Sequence, residues 1–288
     1  MNKKILLLIT AILFTFMTFA CCGKSETDSK IRYSNIVSED VQEELVSMMT
    51  NAGITEERQK GLLEHIKQFN AVVNRKSLAN DFEEYNPGKA KYDPYDMQDE
   101  WNKKSPDFMG YNCRITAFSL FRDFIEIPTH SQIRDEMIVL DLYALSEDSS
   151  AFINSDDEKA FSVFYSTVPT VLTKDTQTHI NALQNDWSQR GIKFLDNEKA
   201  SLISVVFHES VDENDNYLFI GHTGVLFDCN DKIYFVEKIA FQEPYQLTEF
   251  SDRSELNEYL MVKYDVALDQ PTASPFVMEN DKMLDVNK

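Results

Sequence analysis

Between residues 217 and 241 two apolar, aromatic-rich runs flank a short polar break, Asp228-Cys229-Asn230-Asp231. Runs of Val, Ile, Phe and Tyr bounded by Asp and Asn read as strands, and so short a break joins them as an antiparallel hairpin. A third such run, 202–207, precedes them across another Asp/Asn turn. No other feature constrains the fold as tightly.

Upstream the period changes to that of helices. Ser38 caps a helix carrying Val41, Leu45, Met48 and Met49, and Gly53 stops it. Thr55 caps a second, with Leu62, Leu63, Ile66, Phe69, Val72 and Val73 on one face. Apolar residues Ile115, Phe118, Leu120 and Phe121 predict a helix over 113–124. Residues 175–190 read as a helix ended by Gly191, and Ser251 is expected to cap a closing helix through 262. The Tyr-, Asp- and Pro-rich stretch 81–106 reads as a long loop, with Tyr92, Tyr95, Trp101 and, just beyond it, Phe108 forming a groove wall or a local mini-core. Residues 137–145 show no assignable period. Helices first and antiparallel strands last imply an α+β domain over 38–268, with a loose tail over 269–288.

The hairpin brings two polar residues together. If Cys229 and Asn230 form a two-residue turn, Leu226 faces Ile233, Gly224 faces Phe235 and His222 faces Glu237. Residues two apart share a face, so this imidazole and carboxylate meet among Leu226, Ile233, Phe235 and Ile239. A carboxylate buried alone is costly, and His222 is its obvious partner.

Cys113 follows a loop containing Gly110 and stands at the first turn of the predicted helix. Unpaired amides and the helix dipole favour negative charge there, and the thiolate is the nucleophilic form. Nucleophile, base and orienter are the needs of covalent acyl transfer, which assigns the roles to Cys113, His222 and Glu237. Tyr111 and Asn112 are placed to donate to an oxyanion, or simply to cap the helix. Cys113 and Cys229 are also able to form a disulfide, but Cys229 at the hairpin tip is roughly 23 Å along the strand from His222. The disulfide and the Cys113–His222 pair therefore exclude each other. His65, His130 and His179 read as surface or structural. His208-Glu209 lacks the second histidine of a zinc-protease motif. No metal-ligand cluster and no phosphate loop is visible, so no metal and no cofactor is expected.

The chain opens with Lys3 and Lys4, an uncharged apolar run over 5–19, and then Ala20-Cys21-Cys22-Gly23. The run falls short of the about 20 residues that a span requires. It resembles a bacterial lipoprotein signal, with Thr18-Phe19-Ala20-Cys21 as the lipobox and Thr18 where leucine is usual. The resemblance implies removal of residues 1–20, lipidation of Cys21, and a lipid anchor and tether over 21–37. The remainder would sit on the extracytoplasmic face of the cell membrane, as it would behind an uncleaved anchor. A formal charge of −20 leaves no electrostatic footprint for nucleic acid. It also repels an anionic membrane, so the lipid would do the anchoring.

Cysteine at a helix start, histidine on a strand and a polar orienter on the next strand resemble, in order and element type, the papain-like cell-wall hydrolases of the NlpC type. Asn112-Cys113-Arg114 stands where that family commonly has Asp-Cys-Ser. The resemblance implies a papain-like arrangement, a nucleophile-bearing helix packed on a C-terminal antiparallel sheet. It also implies a thiol amidase or peptidase acting on cell-wall peptide, with peptidoglycan as partner. A closer resemblance, carried by GYNCRITAF at 110–118, GHTGVLF at 221–227 and FVEKIAFQEPYQ at 235–246, is to a Gram-positive lipoprotein family, domain of unknown function 4300. It implies location and no activity. The competing reading is a non-catalytic surface lipoprotein that binds a ligand or partner protein, with Cys113 and Cys229 structural.

Overall fold

A computed structural model describes residues 31–87, 91–229, 231–267 and 269–287. The chain runs through β1 (Arg32–Ser34), α1 (Glu39–Asn51), α2 (Glu56–Val72), β2 (Glu83–Glu84), α3 (Pro94–Lys104) and α4 (Cys113–Phe121). It continues through β3 (Ile125–Glu126), α5 (Val139–Glu147), α6 (Asp157–Phe164), β4 (Val168–Pro169), α7 (Thr176–Arg190) and β5 (Lys193–Phe194). Then come β6 (Ala200–Asp212), β7 (Asp215–Cys229), β8 (Lys232–Lys238), β9 (Tyr245–Phe250), α8 (Arg253–Tyr264), β10 (Phe276–Glu279) and β11 (Lys282–Met283).

The sheet has the order β11-β10-β6-β7-β8-β9-β1-β2, with β4 added on β7, and every pairing is antiparallel. Helices and an antiparallel sheet make the fold α+β. Strand alternation divides the apolar residues between two cores. Leu202, Val225, Phe227, Tyr234 and Val236 point to the face holding residues of α1, α2, α4, α6 and α7. Ile203, Val205, Leu226, Ile233 and Phe235 point to the other, against Leu256, Tyr259 and Leu260 of α8.

Several local starts follow from caps. The Ser38 hydroxyl accepts from the Val41 amide, and Asp175 accepts from Thr178 ahead of α7, which ends on left-handed Gly191. Thr55 precedes α2 without a side-chain cap bond. Asp252, not Ser251, caps α8; the Ser251 amide instead donates to the Glu255 carboxylate at 2.7 Å. Helix α4 ends at Phe121, and a 3-10 turn over Arg122–Phe124 follows.

The structure departs from the sequence reading in several places. The stretch read as a long loop contains α3, capped by Asp93 with Pro94 in its first turn. Unassigned residues 137–145 mostly form α5. In the segment expected to be loose, Phe276–Glu279 pairs with residues 203–206 of β6. The expected tether ends early, because Arg32–Ser34 pairs with β9. Strand β8 also stops at Lys238 rather than continuing to residue 241. The expected signal, Cys21 and Cys22 lie outside the described residues. No helix among the described residues is long and apolar enough to cross a membrane.

Candidate active site

Cys113 is the first residue of α4, and the Asn112 side chain caps that helix by accepting from the Ile115 amide at 3.0 Å. Helix α4 packs on β7 and β8, which brings the Cys113 thiol and the His222 ring close enough for each to shift the other's protonation. The sulfur also lies 3.9 Å from the Gly221 carbonyl. His222 Nε2 meets Glu237 Oε2 at 2.6 Å. With Nε2 so engaged, Nδ1 is the nitrogen left for the thiol.

The expected register is wrong by two residues. Leu226 faces Phe235, not Ile233, and Cys229 pairs with Lys232. A slip of two preserves which face each side chain occupies, so His222 and Glu237 still share the α8 face. They meet diagonally rather than head-on. The ladder between β7 and β8 ends at the Val225–Val236 pair, and the histidine and glutamate lie beyond it. Gly224 removes bulk here, for an added Cβ would sit 2.4 Å from the Phe235 ring and 2.6 Å from the Val236 carbonyl.

A bulge sets the histidine's direction. Val205 pairs with His222 and Val206 with Ile220, so Gly221 is an extra residue in β7. Before it, Leu218 and Ile220 join the core shared with α4; after it, Leu226 joins the α8 core. Bulges re-aim side chains in this way next to functional sites.

Glu237 is 1% exposed and has further donors on its second oxygen, Tyr259 Oη at 2.5 Å and Gln246 Nε2 at 3.4 Å. Burial pushes its carboxyl up, but the Lys263 ammonium and the bonds from His222 and Tyr259 outweigh this and bring it down to about 2. Burial likewise opposes the imidazolium. The thiolate of Cys113 and then Glu237 overcome that and raise His222 to about 9. For Cys113, burial favours the thiol, while His222 and Arg114 favour the thiolate and hold it below the ordinary thiol range. The Tyr264 ring stacks on the imidazole, centroids 4.8 Å apart. These influences favour a thiolate–imidazolium pair, and the carboxylate of Glu237 braces the imidazole.

Tyr111 and Asn112 do not aim their side chains at the thiol. Tyr111 Oη donates to the Asp148 carbonyl and contacts Ser150 Oγ. Asn112 Nδ2 donates to Asp141. Cys113 and Cys229 are both free thiols. His179 and His208 are buried with ring centroids 4.3 Å apart. No group of side chains suited to a metal occurs among the described residues. Two surface cavities, about 300 Å³ beside α3 and about 260 Å³ between α7, α8 and β10, are not lined by Cys113, His222 or Glu237.

Several contributors were not foreseen. Lys238 is buried beside the site, its ammonium donating to the Ala240, Phe241 and Glu243 carbonyls and lying 3.8 Å from the Phe69 ring centre. Burial holds it well below the ordinary lysine range. Gly110 adopts φ +91°, a left-handed conformation that favours glycine, and a Cβ added there would lie 3.4 Å from the Phe241 carbonyl. Lys238 and Gln246 both lie in the 235–246 stretch already singled out; Asp141 and Tyr264 left no sequence signal.

No curated protein and no solved structure matches the chain. Residues 32–284, which contain every element from β1 to β11 and the whole Cys113–His222–Glu237 cluster, match the family described as Domain of unknown function (DUF4300), and the chain belongs to that family.

Proposed function

We propose that the protein is a thiol acyl-transfer enzyme of papain-like mechanism, a membrane-anchored lipoprotein that hydrolyses amide bonds of cell-wall peptide. One observation carries the reading: a thiol at the first turn of a helix, electrostatically coupled to an imidazole whose far nitrogen is held by a buried carboxylate. Each group answers a need of the reaction. The Cys113 thiolate attacks the amide carbon. The His222 imidazolium gives its Nδ1 proton to the leaving amine as the C–N bond breaks, which leaves a thioester. His222 then takes a proton from water as water attacks the thioester, and the acid leaves as the C–S bond breaks, with the thiolate and imidazolium restored. Glu237 keeps the imidazole oriented and its charge compensated throughout. Asn112 and the helix itself occupy the amides of Ile115 and Thr116, which leaves those of Cys113 and Arg114 to receive the oxyanion.

The substrate class and the anchoring through a lipid on Cys21 rest on the resemblances and on the N-terminal sequence. For the rival reading, a non-catalytic binding lipoprotein with Cys113 and Cys229 structural, the two free thiols disfavour a bridge between them. The test is release of peptide products from peptidoglycan by the purified protein and by Cys113→Ala and His222→Ala. Loss of release in both variants is expected; undiminished release in both overturns the proposal.

A further inference from the structure

The residues on either side of Cys113 are tied to a single carboxylate on another helix. Asp141 of α5 is fully buried. Its Oδ1 accepts from Asn112 Nδ2 at 2.7 Å and from Arg114 Nε at 2.8 Å. Its Oδ2 accepts from Arg114 Nη2 at 2.5 Å. The Arg114 fork reaches further: Nη1 donates to the Ile220 carbonyl at 3.0 Å and Nη2 to the Met137 carbonyl at 3.2 Å. Ile220 directly precedes the bulge that aims His222.

We propose that Asp141 is a positioning residue for the nucleophile: by holding Asn112 and Arg114 it fixes the α4 first turn against the β7 bulge, so that the Cys113 sulfur faces His222. The proposal rests on the reading of Cys113 and His222 as a nucleophile and its base. A bidentate carboxylate–guanidinium pair is geometrically specific, and a site misplaced by about 1 Å loses much of its function. Without Asp141 the guanidinium is a buried cation without its carboxylate, and the backbone it braces is released.

Charge alone and positioning predict opposite outcomes. A carboxylate near a thiolate disfavours it, so removing Asp141 without any movement makes the thiol more acidic. Loss of alignment with His222 makes it less acidic. The charged and titratable groups around the sulfur are His222 on β7, Arg114 on α4, Asp141 on α5, and Tyr165, Tyr264 and Lys238 on their own elements. The Asp141 variants leave all the other groups unchanged.

The experiment is the rate of Cys113 alkylation by iodoacetamide across pH, read by mass spectrometry on the purified protein. The variants are Asp141→Ala and the isosteric Asp141→Asn, with cooperative thermal unfolding as the criterion of folding. The expected result is a rise of the pH midpoint by about one unit or more in Asp141→Ala, and a smaller rise in Asp141→Asn. If Asp141→Ala does not fold, Asp141→Asn carries the test. An unchanged or lowered midpoint in a folded variant overturns the proposal. His222→Ala separates the two ideas. If it raises the midpoint while the Asp141 variants do not, only the positioning role fails. If it leaves the midpoint at the wild-type value, the pairing of Cys113 with His222 itself fails.

Discussion

His222 Nε2 and Glu237 Oε2 close to 2.6 Å along a diagonal of the sheet. Diagonal neighbours in an antiparallel pair are roughly 7–8 Å apart, within reach only of longer side chains. Glutamate therefore has a length that aspartate lacks at this position. Glu237→Asp is expected to keep the charge and lose the contact. Glu237→Gln keeps the reach and loses the charge. Both are expected to lower kcat, by roughly 10²-fold or more if His222 acts as acid and base. Steady-state kinetics on a peptide substrate checks this; full activity in Glu237→Asp would show that the diagonal contact is dispensable.

The coupled pair dictates a pH profile. His222 is raised to about 9, so the stability it contributes is complete below its ordinary value near 6.5 and lost as pH rises through about 9. The proton for the leaving amine is lost over the same range. Acyl transfer is expected to fall above about pH 9, together with the thermal midpoint. In Cys113→Ala the strongest upward influence on His222 is gone, so its alkaline loss of stability begins at lower pH. Thermal unfolding of both proteins from neutral to alkaline pH measures the difference; coincident profiles contradict the pairing.

Gly224 has no room for a side chain. Its added Cβ meets the Phe235 ring at 2.4 Å and a backbone carbonyl at 2.6 Å, and backbone cannot move aside as a flexible side chain does. Gly224→Ala is expected to destabilise the fold by about 1–3 kcal/mol, the usual range for overpacking. Urea denaturation reads this directly, and a change within error of zero refutes the predicted clash.

A second histidine senses acid. Burial and then the neighbouring His179 hold His208 below the ordinary histidine range, while its Nδ1 accepts from the Ala273 amide at 3.0 Å. The folded state thus resists protonation that the unfolded chain accepts. The stability contributed is complete above about pH 6.5 and lost as pH falls below it. His208→Gln is expected to flatten the fall of thermal midpoint between neutral pH and about pH 5. An equally steep fall in the variant assigns the acid sensitivity to other groups.

Much of this arrangement was written in local chemistry. Ser38, Asp175 and Gly191 mark helix ends because capping is decided within a few residues. Alternation placed His222 and Glu237 on one face, and a register error of two left that intact. What escaped was non-local or inverted. Helix α3 buries only Met97 and Trp101, too little to show a period. Helix α5 exposes Val139 and Tyr143 while burying Asp141, the reverse of an ordinary amphipathic pattern. Asp141 is legible only once Arg114 is seen to reach it. Four residues of β10 carry no signal until β6 supplies their partner.

The extra residue at Gly221 is a change of phase. A strand is a two-beat pattern, and β7 serves two cores that need opposite beats. Removing one residue from the bulge would turn an entire arm of the strand inside out, while exchanging a residue disturbs one contact. Natural variation in this strand is therefore expected to change its letters far more freely than its count. Chains that keep this histidine should keep the spacing between it and the preceding turn.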